Sequence, residues 1–244
     1  MFIPFCMLRI FLIILTCLIT GIASGQKAIG TIAMQLSFPQ QEYKETYPVT
    51  GAGLRFNVLF RPSPDVPISI GGELGFLVTS NDSKYFDLYY LGFFDRYRIS
   101  ASNNIATLAF VTRADLIPHD KPIQLFVDGT IGTNLFFSTV DIERETFFGN
   151  SQYQGGRSTK GRWAFIWGPG MGIEIPIGKR KEMAISLKSS YLFGTNTKYL
   201  TDPYIDNSGT VYFTERESKT DMILTTAGLR LGLFNNKRTQ RDRE

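Results

Sequence analysis

Histidine is almost missing from this 244-residue chain: there is one, His119. Cysteine is scarce too, with Cys6 and Cys17 as the full complement. No apolar run beyond residue 25 reaches the roughly 20 residues that a membrane-spanning helix needs. Each shortage removes a class of chemistry. One histidine cannot supply a His–His metal pair, and it confines any Ser–His hydrolytic arrangement to position 119. Both cysteines fall in an N-terminal apolar leader. A mature chain without them has no disulfide, no thiol nucleophile and no cysteine-bound metal.

The leader reads as a secretory signal. Arg9 gives one positive charge, an apolar run follows over 10–23, and "ASGQ" (23–26) has the small residues of a cleavage site. A retained anchor is the competing reading, disfavoured by the length of the run. Lipidation at "LTC" (15–17) is disfavoured because apolar residues continue past Cys17. The expected organisation is a signal peptide over 1–25, one β-barrel domain over 26–236 and a basic periplasmic tail over 237–244. Loss of Arg9 lowers the net charge from +4 to +3. That is too mild to argue for a nucleic-acid partner.

What is abundant is aromatic residues, 14% of the chain, and glycine, 23 residues. The mixture suits an all-β protein. Segments of ten or more residues alternate apolar with small or polar side chains, separated by turn residues, which is the pattern of a transmembrane β-barrel. Eight strands are expected: 28–38, 49–60, 66–79, 103–116, 122–140, 162–177, 183–194 and 220–234. The second, fourth and sixth connections are short ("RPSPD", "IPHDK", "GKRKE"). The others are long and polar. An outer-membrane barrel shows this asymmetry, with short turns in the periplasm and long loops outside. The predicted fold is therefore an eight-stranded antiparallel up-and-down transmembrane β-barrel. A soluble sandwich would alternate as well, but without the asymmetry of its loops. The third loop, "KYFDLYYLGFFDRYRIS", is aromatic throughout. As two further membrane strands it would raise the count to ten; as a strand extension it would form a rigid hairpin.

Alternation places apolar sets such as Trp163, Phe165, Trp167, Met171, Ile173 and Ile175 on the lipid face. The opposite face then carries charge: Arg55, Glu73, Arg113, Asp115, Asp128, Glu174, Lys188 and Arg230, four bases and four acids in the periplasmic half. An eight-stranded barrel is just wide enough to be filled by side chains, so unpaired charges there would be costly. These eight are expected to form a structural ion-pair network plugging the lumen, with Glu174 and Asp128 as partners for Arg230. An ion or proton path is the alternative. Barrel width favours the plug.

No catalytic, metal or cofactor site emerges. His119 lies in a predicted turn, away from the long loops. Glu143 and Glu145, like Asp82, Asp87 and Asp95, read as solvated loop carboxylates. "GPGMG" (168–172) lacks the Lys-Ser/Thr of a phosphate-binding loop, and its glycines read as room for bending and close packing. Trp163, Trp167, Tyr191 and Phe193 are expected in an interfacial girdle. The third-loop aromatics Tyr85, Phe86, Tyr89, Tyr90, Phe93, Phe94 and Tyr97 either pack within an extended hairpin or form a partner-contact surface.

The stretches "GGELGFLV", "KPIQLFVDGTIGTNLFF", "SSYLFGTNTKYL" and "SKTDMILTTAGLRLGLF" resemble small outer-membrane β-barrel proteins of the PorT-like and OmpX-like kind from Gram-negative bacteria. The resemblance covers nearly the whole mature chain. It implies outer-membrane location, contact with membrane lipids and lipopolysaccharide, and insertion by the barrel-assembly machinery. The last stretch is similar to the C-terminal signal that this machinery reads, except that Asn235 to Glu244 follow Phe234. The expected function is non-enzymatic: a structural or surface-interaction role, as in a secretion or assembly complex. A lipid-modifying enzyme and a narrow channel or ligand carrier are the competing expectations.

Overall fold

A computed structural model describes residues 27–62, 66–90, 93–117, 122–145, 151–159, 161–178, 183–206 and 210–232. The leader, His119 and the basic tail lie outside the described residues.

Eleven strand segments and one short helix occur in the order β1 (Lys27–Pro39), α1 (Gln41–Thr46), β2 (Gly51–Arg61), β3 (Ile68–Tyr90), β4 (Phe93–Asp115), β5 (Gln124–Glu145), β6 (Ser151–Ser158), β7 (Arg162–Ile177), β8 (Met183–Gly194), β9 (Asn196–Ile205), β10 (Val211–Lys219) and β11 (Met222–Gly232). Eight of them form one antiparallel sheet in the order β4-β3-β2-β1-β11-β8-β7-β5, and pairing of β4 with β5 closes it. The chain is an eight-stranded up-and-down barrel. Closure removes the sheet edges and leaves one inside and one outside. Neither a sandwich nor a ten-stranded barrel is present.

The expected strands recur, with differences at the loop end. β3 and β4 are 23 residues each, about twice the 9–11 residues that cross a membrane. Their pairing runs on from Ser80↔Asn103 to Tyr90↔Phe93, past a register shift between Val78 and Ser80. The third loop is thus a hairpin extension. Its aromatic residues favour strand, and charges across it pair: Arg96 Nε donates to Asp87 Oδ1 at 2.8 Å. β5 extends to pair with β6 above the rim, and β9 with β10 forms a further hairpin there. Above the membrane, β3, β4, β5 and β6 stand as a four-stranded sheet.

Outward positions are apolar around the wall, with Met34, Leu54, Leu74, Leu108, Trp163 and Met171 all more than half exposed. A water-soluble surface does not carry such a belt; a lipid-facing one does. Inward positions are buried. "GPGMG" lies in β7, where Gly168, Gly170 and Gly172 face the lumen. A side chain at Gly172 would place its Cβ 2.3 Å from Phe126 Cζ and 2.5 Å from the Leu187 carbonyl oxygen. Glycine is there to admit the Phe126 ring. Gly172→Val should lower stability by about 1–3 kcal/mol through overpacking, read as a lower urea midpoint of the barrel in detergent.

Candidate functional site: an alternating ion-pair chain beneath an aromatic plug

Inside the turn-end half of the barrel, seven charged side chains link in series. Arg55 Nη1 lies 2.7 Å from Glu73 Oε1. Lys188 Nζ is 3.5 Å from Glu73 Oε2 and 2.9 Å from Asp128 Oδ2. Arg113 takes Asp128 in a fork, Nε to Oδ1 at 2.9 Å and Nη2 to Oδ2 at 3.2 Å. The same guanidinium reaches Glu174 Oε1 at 2.6 Å, and Arg230 Nη1 reaches Glu174 Oε2 at 3.0 Å. The signs alternate along Arg55–Glu73–Lys188–Asp128–Arg113–Glu174–Arg230. All seven are buried, at 7% exposure or less.

Strand alternation produces the chain. Every member sits at an inward position, and the members come from β2, β3, β4, β5, β7, β8 and β11. The fold must therefore close before the chain is complete. The Phe126 ring supports it, lying 3.7 Å from the Arg113 guanidinium carbon. Gln35 on β1 accepts from Arg55 Nε at 2.9 Å and donates to the Leu54 and Phe76 carbonyls. β1, which has no charge in the chain, contributes through this amide.

Seven of the eight expected lumen residues join this chain. The eighth, Asp115, sits at the turn end and pairs with Arg61. Arg61 opens "RPSPD" and was read as part of that turn, whereas β2 runs on to include it. It is 6% exposed. Among the described lumen residues the count becomes five bases to four acids. Of the two acids expected to hold Arg230, Glu174 does so. Asp128 is engaged by Arg113 and Lys188 instead.

The loop-end half of the lumen is different in character. An amide–hydroxyl layer comes first, with Thr107 Oγ1 donating to Asn134 Oδ1 at 2.7 Å. Beyond it Leu77, Ile105, Phe136, Ile166, Leu192 and Leu224 face inward and pack with residues of the loops. α1 supplies Tyr43, followed by Tyr47, and the β9–β10 hairpin supplies Tyr199. Tyr43 meets Phe136 edge-on at 6.3 Å and Tyr199 at 5.4 Å between ring centres; Tyr199 lies 5.6 Å from Phe136. The Tyr199 hydroxyl is 2.7 Å from Ser218 Oγ. This aromatic plug closes the mouth. The sequence reading missed it, since both loops looked polar: "QEYKET" buries one face of a short helix, and Tyr199 is an inward position on a strand folded over the rim.

Of the third-loop aromatics, Tyr85 is 54% exposed and Phe86 and Tyr97 are half-buried. The Arg96 and Arg98 guanidinium carbons lie 5.9 and 6.0 Å from the Tyr85 ring centre. Lys84 Nζ lies over the Tyr204 ring at 5.1 Å, linking the third hairpin to β9. Tyr89, Tyr90, Phe93 and Phe94 end the hairpin, and their side chains lie outside the described structure. Glu143 is 3.9 Å from Arg98, an exposed pair worth little. Trp163, Trp167 and Phe193 are exposed on the lipid face near the loop end, and Trp167 stacks on Phe193 at 5.9 Å, in keeping with a girdle.

No family model and no curated protein matches the chain. Solved outer-membrane proteins align with it over most of their length. Neisserial surface protein A matches with 9% identity over 86% of this chain and 98% of that one, at a TM-score of 0.43. A major outer membrane protein from Thermus thermophilus matches with 13% identity over 84% and 98%, at 0.44. OprG from Pseudomonas aeruginosa matches with 10% identity over 86% and 97%, at 0.43. Identities at this level say nothing of a shared ligand or activity. The fold rests on the closed sheet itself.

Two expectations follow. Arg230→Leu should lower stability by about 1–3 kcal/mol, and Glu174→Leu, which leaves Arg230 without its acid and takes one of two acids from Arg113, by about 3–5 kcal/mol. Because the two residues touch, the double variant should cost less than the sum, as a double-mutant cycle of unfolding in detergent would record. At the mouth, burial pushes the Tyr43 hydroxyl well above the ordinary phenol value, and burial raises Tyr199 as well. A group raised on folding contributes stability that is complete below its unfolded value, near 10 for tyrosine. That contribution declines as pH climbs from there toward the folded value. Protease nicking of the β9–β10 hairpin should therefore increase above about pH 10, and Tyr43→Phe should delay the onset.

Proposed function

We propose that this protein is a non-enzymatic integral outer-membrane protein of a Gram-negative bacterium. Its barrel serves as a closed membrane anchor that presents a surface sheet to an envelope or surface partner, as in a secretion or assembly complex. The observation that carries the reading is the filled lumen. Ion pairs occupy one half, an aromatic plug occupies the other, and the β3–β6 sheet projects beyond a belt that faces lipid. Membrane lipids and lipopolysaccharide are the surroundings this reading gives the barrel, and the barrel-assembly machinery its route of insertion.

Deletion of residues 84–98 tests the partner-contact role. The shortened protein should keep a heat-modifiable band on a denaturing gel and lose an envelope protein that crosslinks to the intact chain. If the intact chain captures none, the contact role fails. A charged lumen could also conduct, so planar-bilayer recording addresses the remaining reading. The purified barrel should be silent; stable single-channel steps would replace the anchor with a channel.

A further inference from the structure

The outer wall carries a trench that its own packing does not explain. The strand register sets one row of small outward residues across the wall: Thr112 faces Gly129 and Gly129 faces Pro169. Beside it runs a ridge in which Phe110 pairs with Ile131, Ile131 with Trp167 and Trp167 with Phe193. On the far side Leu125 pairs with Ile173 and Ile173 with Leu187. The concavity between the ridges holds about 710 Å³ and continues past Met171 and Tyr191 to Ile223 on β11.

Gly129 is the telling residue. A Cβ built there would have nothing within 4 Å, unlike Gly172 in the same wall. Nor does its backbone take the left-handed conformation that demands glycine. Glycine inside a strand costs about 0.5–1 kcal/mol relative to alanine. Neither packing nor turn geometry within the chain accounts for that cost. Pro169 adds to it: it has no N–H to donate, and pairing of β7 with β8 resumes only at Gly170↔Ser190 after Trp167↔Phe193. Two residues unfavourable to a strand lie side by side on the floor of the trench. Both leave space on the lipid side.

We infer that the trench is a seat for one acyl chain of an outer-leaflet lipid. The inference rests on the membrane-spanning reading of the barrel. The trench opens into the apolar belt, so its occupant is hydrocarbon. It crosses five strands, and four strand spacings of ~4.8 Å give a length of about 19 Å. One leaflet of hydrocarbon is about 15 Å thick, half of a ~30 Å core, so an extended lipid tail fits the length. The strands lean in the membrane, so a row across them climbs obliquely, from Thr112 near the turn end of β4 to Tyr191 and Ile223 at the loop end. There the Tyr191 hydroxyl accepts a hydrogen bond from Gln41 Nε2 at 3.0 Å, at the height where a headgroup would begin. A flexible chain follows such a path. A second barrel, convex like the first, would touch the wall along a line and leave the trench unfilled.

Trp167 on the ridge is a reporter in place. The full chain, with Trp163→Phe to leave one indole, is reconstituted in phosphatidylcholine vesicles doped with a phosphatidylcholine brominated on its acyl chain. Bromine quenches indole on contact. A seat should give quenching at low brominated fraction that corresponds to about fivefold preference over bulk lipid, or ~1 kcal/mol. Gly129→Leu fills the trench without a clash inside the barrel. It should return quenching to the random-mixing curve while the heat-modifiable band persists. Should both proteins follow random mixing, the trench is ordinary wall and the seat is overturned. Crosslinked dimers that Gly129→Leu abolishes would overturn it in favour of a second copy. No quenching in either protein would instead remove the membrane-spanning reading on which the seat rests.

Discussion

Eight strands enclose an interior only as wide as the side chains that line it. A charge placed there has little water and must meet an opposite charge from a facing strand. That constraint organises the turn-end half of this molecule. A lone pair would satisfy two residues; here each interior member of the chain satisfies two neighbours, so seven charges from seven strands are settled together. Buried ion pairs are weak evidence for stability, since desolvation can cancel the attraction. What they impose is consistency: a strand shifted by one residue would turn its charge toward lipid and leave partners stranded.

The two halves of the lumen divide the work by chemistry. The turn-end half is polar and held by charge. The loop-end half is apolar, held by Phe136 and the tyrosines of two folded-over loops. A hydroxyl–amide layer at Thr107 and Asn134 separates them. The plug depends on chain segments that are not part of the barrel, α1 and the β9–β10 hairpin. Neither segment pairs into the wall, whereas the ion-pair chain joins seven of its eight strands.

Much of this was legible in the sequence because a barrel wall has a period of two and one face must suit lipid. That rule placed Arg230 inside an otherwise apolar strand and offered Glu174 and Asp128 as its partners, of which Glu174 holds it. The same rule placed Asp128 correctly but could not choose among the bases near it, because the choice depends on strand tilt and stagger, which no single strand records. Arg61 was lost where strand and turn meet, since turn composition masks the final inward position. The plug was invisible for another reason. Tyr43 and Tyr199 lie in loops whose average composition is polar, and only the fold shows that each presents one buried face. The long third hairpin fell between two readings, and continuous pairing to Tyr90↔Phe93 decided for extension.

The lumen charges form one alternating chain and not a set of independent pairs. Unfolding free energies in detergent, measured for leucine substitution at each of the seven positions, test it most directly. The chain predicts a profile with its lowest costs at the two ends, Arg55 and Arg230, and higher costs at the five positions between them, where each loss takes a partner from two neighbours. A flat profile, or one in which Lys188 and Asp128 cost no more than the ends, would contradict it.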